Sequence, residues 1–196
     1  MDNRLQNLIE RIRELENELA RDIESKEKEF FYRIRGKKVR FDREIQKRQH
    51  LLVKRLRHFL RDAPLLHFLT APLIWSCLLP ALFLDAIVSV YHVVCFPIYG
   101  IPRVKRGDYI VIDRHSLPYL NIIEKLNCVY CGYFNGLIAY VREIAARTEQ
   151  YWCPIKHARK TRAVHSRYGK FSEYGDGEGY RKGIEKIRRD FHDVSS

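Results

Sequence analysis

Apolar residues in the N-terminal third of the chain recur at helical spacing among many charged residues. Near the start they are separated by alternating steps of three and four, the spacing of a coiled-coil seam. The seam comprises Leu5, Leu8, Ile12, Leu15 and Leu19. It covers only about two to three heptads, so this stretch alone would form a marginal coiled coil.

A second amphipathic stretch begins after a basic run centred on Gly36 and continues to Asp62. Its apolar positions include Ile45, Leu52 and Leu56, which are set among Lys and Arg. A basic amphipathic helix that leads into an apolar segment is typical of an element lying on anionic lipid, and a solvated helix packed on its own domain is the alternative. We therefore predict a basic helical arm over residues 1–62.

A charge-poor apolar window follows from Ala63 to Pro102, in which Asp85 is the only formally charged residue. A membrane-spanning helix needs about 20 residues, and this window is longer and contains Pro72 and Pro80. Basic residues flank both ends, which favours a cytoplasmic position for both. The pattern predicts a membrane hairpin broken near Pro80 over residues 63–102. A single tilted span and a buried pair of soluble helices are the alternatives.

The sequence predicts a small, helical cytoplasmic domain over residues 103–196. Asp108–Asp113 alternates like a short strand, and Ser116 is placed to cap a following helix. Asn135–Gly136 predicts a turn or a cap before a second helix, and a last basic helix is predicted from Tyr180 to about His192. The predicted fold class is therefore mainly α, with a basic N-terminal arm, a membrane segment and this domain.

The net positive charge of the chain indicates an anionic partner. The 196 residues carry 36 Lys and Arg against 24 Asp and Glu, a net charge of +12, and the excess lies outside the window. Lipid headgroups and nucleic acid are the generic anionic partners of such a chain. Because of the apolar window we expect anionic lipid, no nucleic acid, and a second copy of the chain at the N-terminal seam.

The cysteines suggest a metal site. Five cysteines do not resemble a secreted disulfide framework and fit a reducing compartment. Cys128 and Cys131 form a Cys-x2-Cys pair, and Cys153 and His157 form a Cys-x3-His pair further along. Three thiolates and an imidazole suit a closed tetrahedral zinc site. The sequence therefore predicts zinc held by Cys128, Cys131, Cys153 and His157, with His165 as a spare ligand.

This site closes only if the helix after Asn135–Gly136 ends near Arg147–Thr148. An unbroken helix over residues 137–152 would be about 24 Å long. Residues 132–135 reach at most about 13 Å, so Cys131 and Cys153 could not then share one ion. Structural thiols without metal are the alternative.

A cysteine-dependent enzyme that acts on a lipid or an acylated substrate is a second interpretation. Its candidate nucleophiles, bases and orienting carboxylates are Cys128 or Cys131, His115 or His157, and Asp113 or Glu149. Thiol redox chemistry at Cys128 and Cys131 is another alternative, although the usual βαβ context is missing.

Asp85 and His92 are seven residues apart within the window, so they share one face of a helix. A charge within an apolar span is costly and often functional, which makes the pair a candidate for a catalytic or transport role. A position of Asp85 near the bend, within reach of headgroups or water, is the alternative.

The stretches 96–102, 108–115, 119–132 and 140–157 resemble a family of small, uncharacterised bacterial membrane-associated proteins. The pattern includes Cys128-x2-Cys131-Gly132 and Trp152–His157, and the resemblance covers about residues 63–192. It implies a bacterial cytoplasmic membrane, with the soluble parts in the cytoplasm, and it implies no activity.

We therefore expect a membrane-anchored zinc-binding or interaction module on the cytoplasmic face of a bacterial membrane. A cysteine-dependent hydrolase, acyltransferase or redox enzyme and a non-catalytic coiled-coil scaffold are the alternatives.

Overall fold

The structure is a computed structural model that describes residues 11, 14–19, 21–22, 25, 32–35, 38–159 and 161–194. Within these residues the protein is mainly helical, as the sequence predicts. The chain forms two compact units, one from residues 1–62 with 113–126 and one from residues 63–112 with 127–196. The segment after the apolar window therefore contributes to both units.

The first unit contains a β-hairpin where the sequence predicts helix. Strand β1 (Tyr32–Arg35) pairs antiparallel with β2 (Lys38–Phe41). In both strands aromatic or β-branched residues alternate with Arg or Lys, a period-two pattern that favours a strand. The prediction of helix is wrong here. It is confirmed further along, in α1 (Arg43–His50) and α2 (Leu56–Asp62).

The predicted coiled-coil seam lies largely outside the described residues. Leu5, Leu8 and Ile12 are not among them, whereas Leu15 and Leu19 are helical and exposed. The coiled coil therefore stays a prediction.

The apolar window forms two helices in direct succession, α3 (Leu65–Ser76) and α4 (Leu78–Tyr99). Only Cys77 separates them, and its dihedral angles, φ −62° and ψ −16°, are close to helical values. Pro80 has no N–H to donate to the preceding turn, which accounts for an interruption at this point. A long apolar helix is confirmed. The hairpin near Pro80 is not, because one helical residue does not reverse the chain.

Helix α5 (Ile122–Trp152) begins at a capping box and not at Ser116. Asn121 Oδ1 accepts hydrogen bonds from the N–H groups of Ile123 and Glu124, both at 3.0 Å. The Glu124 carboxylate accepts one from the Asn121 N–H at 2.8 Å. These bonds satisfy the free N–H groups of the first turn and so define where the helix begins. The predicted start at Ser116 is wrong.

Two glycines in α5 lie where another segment of the chain packs closely against the helix, and they do not form a turn. A Cβ added at Gly136 would lie 2.6 Å from the Tyr109 carbonyl oxygen, and one at Gly132 would lie 3.2 Å from the Val111 oxygen. Residues 109–112 therefore lie directly against α5, after a single helical turn at Arg106–Tyr109. The strand predicted over 108–113 is wrong, and so is the turn at 135–136. Helix α5 is continuous, so it lacks the break near 147–148 that the predicted zinc site requires.

The second unit ends with α6 (Gly177–Ile187), which confirms the last predicted helix although it ends before His192. The buried Gln150 side chain of α5 donates to the carbonyl oxygens of Ile187 at 2.9 Å and Asp190 at 2.8 Å. These bonds satisfy carbonyls that a helix end leaves free and hold α6 on α5. The core of this unit includes Phe96, Leu137, Tyr140, Ile144 and Phe191.

We expect Gly136→Ala to lower the free energy of unfolding by about 1–3 kcal/mol, because the new methyl group would overlap backbone atoms of residues 109 and 110. This cost exceeds the gain of about 1 kcal/mol in helix propensity. Thermal unfolding of the detergent-solubilised protein, followed by circular dichroism, measures the change.

Gly183→Ala is the matched control. Gly183 also lies within a helix, but the nearest atom to an added Cβ is Ile187 Cδ1 at 3.8 Å. We expect this variant to be as stable as the wild type or more stable. Stabilisation of the same size by both substitutions would contradict the close approach at Gly136.

Candidate membrane-facing helix and its polar contacts

Helices α3 and α4 expose apolar side chains along their whole length. No residue of α3 is buried, and α4 buries only Ala81, His92 and Phe96. Among the described residues, Leu65–Tyr99 is the one helix long and apolar enough to cross a membrane. A large exposed apolar surface marks contact with a membrane or with another protein. This surface is formed by Leu65, Leu66, Phe68, Leu69, Leu73, Ile74, Leu79, Leu82, Phe83, Ile87, Val90, Val93, Val94 and Ile98.

Asp85 lies between α4 and α5 in a cluster of hydrogen bonds. Its Oδ2 accepts from the Tyr133 hydroxyl at 2.8 Å and from Arg106 Nη2 at 2.6 Å. Its Oδ1 accepts from Arg106 Nη1 and from Ser89 Oγ at 3.2 Å. The guanidinium therefore binds both carboxylate oxygens and neutralises the only formal charge of the apolar window. The Asp85 side chain is 13% exposed and that of Arg106 is 44% exposed, so the carboxylate is the more buried partner of the ion pair.

The partners of Asp85 do not exchange protons near neutral pH. Burial, and then the hydrogen bond to Asp85, raise the pKa of Tyr133, so this side chain remains a neutral donor. The hydrogen bond to Asp85 raises the pKa of Arg106, so the guanidinium stays charged. The cluster is suited to holding α4 against α5 and not to general acid–base catalysis.

His92 connects α4 to α5 two turns further along. Its Nε2 accepts a hydrogen bond from the Val104 N–H at 2.9 Å, so that nitrogen carries no proton. The proton of the neutral ring is therefore on Nδ1, which donates to the Tyr140 hydroxyl at 3.2 Å. Arg106 lies over the Tyr140 ring, 5.6 Å from its centre, and links this contact to the Asp85 cluster. Asp85 and His92 thus share one side of α4, but each has its own partners.

The four predicted zinc ligands lie at the two ends of one uninterrupted helix. Cys128 and Cys131 are in the first half of α5, Cys153 directly follows it, and His157 lies beyond. About 30 Å of helix separates Cys131 from Cys153. No group of three or more His, Cys, Asp or Glu side chains in the described part of the chain is placed to hold a metal. The fold does not bring the four residues together, and zinc binding stays a prediction that this helix does not support.

The residues proposed for a thiol enzyme are also spread apart. Cys128 and Cys131 lie within α5, past its first turn, so neither occupies the helix N-terminus that activates a thiol. His157 lies past the far end of the same helix. His115 and Asp113 belong to the first unit and both cysteines to the second, so their pairing with the cysteines stays a prediction.

Glu149, Cys153 and His165 form a group that sequence reasoning missed. His165 Nε2 lies 3.0 Å from Glu149 Oε2, without the alignment of a hydrogen bond. Its Nδ1 accepts from the Arg167 N–H at 3.2 Å. Burial, and then the Glu149 carboxylate, raise the pKa of Cys153, so its thiol is neutral at neutral pH. The group positions the segment after α5 and supplies no activated thiolate.

Arg106, Tyr133 and Tyr140 are the partners in the α4–α5 contacts that the sequence did not reveal. One signal was present in the spacing, since Tyr133 and Tyr140 are seven residues apart, as are Asp85 and His92. A second signal was Asp85, the lone acid of the window, because a buried carboxylate requires a cationic partner. Candidate partners follow the window directly at Arg103, Lys105 and Arg106.

Comparison with known proteins gives no family or function. No family model, no curated protein and no solved structure matches this chain. The resemblance to small bacterial membrane proteins therefore stays a prediction.

We expect Tyr133→Phe to lower the free energy of unfolding by about 1 kcal/mol and Asp85→Asn by about 1–3 kcal/mol, because each removes a partly buried hydrogen bond or ion pair. The double variant should lose less than the sum, since both substitutions break the same contact. Thermal unfolding in detergent measures all three. Ser89→Ala, which loses only the 3.2 Å contact, is the control, and strictly additive losses would contradict the shared network.

We expect chelator treatment to leave the melting temperature unchanged, because the predicted zinc ligands lie at opposite ends of α5. Elemental analysis of the detergent-purified protein beside Cys153→Ser measures bound metal directly. About one zinc per chain that is lost in Cys153→Ser would show that α5 breaks and that Cys131 and Cys153 share an ion.

Proposed function

We propose that this protein is a membrane-anchored interaction module. Its anchor is Leu65–Tyr99, and a small helical unit is fixed to that anchor by the contacts between α4 and α5. The observation that carries this proposal is the exposed apolar surface of α3 and α4 within a window free of Lys and Arg. Both flanks of the window are basic, which suits attraction to anionic lipid headgroups.

Length and exposure favour a bilayer over a partner protein. Helix α4 alone has 22 residues, or about 33 Å, against a hydrocarbon thickness of about 30 Å. Helix α3 has no buried residue on any side, whereas a single partner helix would cover only one side. The charge of Asp85, which would be costly in such an environment, is already neutralised by Arg106.

The near-continuity of α3 and α4 supports one crossing by Leu65–Tyr99, so that residues 1–62 and the residues directly after Pro102 follow from opposite ends of this span. Lys and Arg near the ends of a span favour the cytoplasmic side. The twenty residues before Ala63 contain more of them than the twenty after Pro102. They are Arg43, Lys47, Arg48, Lys54, Arg55, Arg57 and Arg61 before, and Arg103, Lys105, Arg106 and Arg114 after. We therefore assign residues 1–62 to the cytoplasmic side of a bacterial cytoplasmic membrane.

We expect the wild-type protein to resist alkaline extraction from the membranes of expressing bacteria, and Phe83→Lys to be extracted several-fold more readily. A lysine near the centre of a membrane helix costs about 2.5–3.5 kcal/mol. Val164→Lys is the matched control, because Val164 is also exposed but lies outside the anchor. Complete extraction of the wild-type protein would contradict the anchor itself.

The single crossing is tested in spheroplasts of the expressing bacteria, with a variant whose only cysteine is Cys153, which is exposed. A membrane-impermeant maleimide should label it in intact spheroplasts if the chain crosses once. Labelling only after lysis would contradict a single crossing with residues 1–62 in the cytoplasm, and it is the result expected of the hairpin with both flanks there.

A further inference from the structure

A polar cavity of about 280 Å³ lies in the second unit, beside the segment that follows α4. Four cationic side chains and three carboxylates line it. Its cations include Arg147 from α5, Arg167 from the loop before α6, and Arg103, four residues beyond the end of α4. The cavity therefore lies at the terminus of the apolar helix.

Arg147 and Arg167 are buried, each with a side chain only 7% exposed. Arg147 donates from Nε to Glu143 at 2.9 Å and from Nη1 to the Pro102 carbonyl at 2.8 Å. Arg167 donates from Nη1 to Asp193 at 2.9 Å. For Nη2 of both arginines the described residues provide no hydrogen-bond partner, and neither atom is among the fully enclosed unpaired ones. Both Nη2 groups are therefore accessible donors on side chains that line the cavity.

Two of the carboxylates that line the cavity already accept hydrogen bonds from neighbouring side chains. Glu143 accepts from Arg147 and, at 2.8 Å, from Ser166 Oγ. Asp193 accepts from Arg167 and, at 2.8 Å, from Lys170. Burial alone would raise the pKa of Asp193, but these two bonds outweigh it and hold the pKa at about 2. Asp193 is therefore charged and paired at neutral pH, so it does not compete for the free Nη2 groups.

Arg103 adds a cation at the exposed side of the cavity. Its Nη2 donates a hydrogen bond to the Val93 carbonyl at 3.3 Å. The side chain is exposed and forms no ion pair within the described part of the chain, so it can turn toward a ligand. Planar guanidinium groups match the geometry of carboxylate and phosphate oxygens.

We propose that this cavity binds a phosphate-class oxyanion through Nη2 of Arg147 and Nη2 of Arg167, with Arg103 at its entrance. The inference goes beyond membrane anchoring and does not require it. The phosphate has two possible sources, the headgroup of an anionic lipid at the end of α4 or a free phosphate compound in solution. Both present the oxygen acceptors that the two buried guanidinium groups lack.

The test measures binding to the full-length protein in two arms. In the first, inorganic phosphate is titrated into detergent-purified protein and the melting temperature is followed, since a ligand that binds only the folded state raises it. In the second, the protein is reconstituted in phosphatidylcholine nanodiscs with or without phosphatidic acid. Stabilisation in the first arm identifies a free phosphate, and stabilisation only in the second identifies a lipid phosphate.

We expect Arg167→Gln to weaken binding at least tenfold and Arg167→Lys, which keeps the charge but not the planar group, to weaken it less. Arg181→Gln is the control, because Arg181 is exposed on α6 outside the cavity. Arg103→Gln removes a cavity cation from the surface, so it should fold normally even if Arg167→Gln does not, and it should weaken binding several-fold. No stabilisation in either arm, or equal losses in Arg103→Gln and Arg181→Gln, would overturn the proposal.

Discussion

The second unit depends on the register between α4 and α5, which two polar contacts set. Asp85 meets Tyr133 and His92 meets Tyr140, and in each helix the two residues are seven positions apart. Seven residues are two helical turns, or about 10.5 Å, so the two contacts form together only when the helices run parallel and in one register. Stacking of Tyr99 on Tyr151, with ring centres 5.2 Å apart, adds a contact at the end of α4, one helical turn further along α5 than this register alone would place it. Parallel helices require the chain to return between them, and the glycines of α5 provide the space for residues 109–112.

This register also explains how one helix can serve two environments. The polar groups of α4 are satisfied on the side that faces α5, by Arg106, by two tyrosine hydroxyls and by the Val104 N–H. The opposite side is left with apolar side chains only, and it requires no hydrogen bonds from its surroundings. A charge in the anchor is therefore compatible with a membrane because its partners belong to the same chain.

Much of the helical content could be predicted from the sequence, because the apolar window and the last helix have strong patterns of their own. The long α5 could not, since Asn135–Gly136 is typical of a turn when it is considered locally. Only the packing of residues 109 and 110 against Gly136 shows that glycine is required there for space. The zinc prediction failed to gain support for the same reason, because Cys-x2-Cys and Cys-x3-His spacings describe local pairs and say nothing about the helix between them. The tyrosine partners of Asp85 and His92 could not be predicted either, because they lie on a different helix and the pattern within one segment does not show which helices pair.

The contacts that set the register also shape the polar cavity. His92 holds the N–H of Val104, while Arg147 holds the carbonyl oxygens of Pro102 and Arg103, so three consecutive residues are fixed by α4 and α5 together. Arg147 and Arg103 both line the cavity. A shift of α4 by one turn along α5 would break these bonds and separate the cationic groups. The arrangement of cations at the end of α4 is therefore a consequence of the same helix pairing that leaves the other side of α4 apolar and exposed.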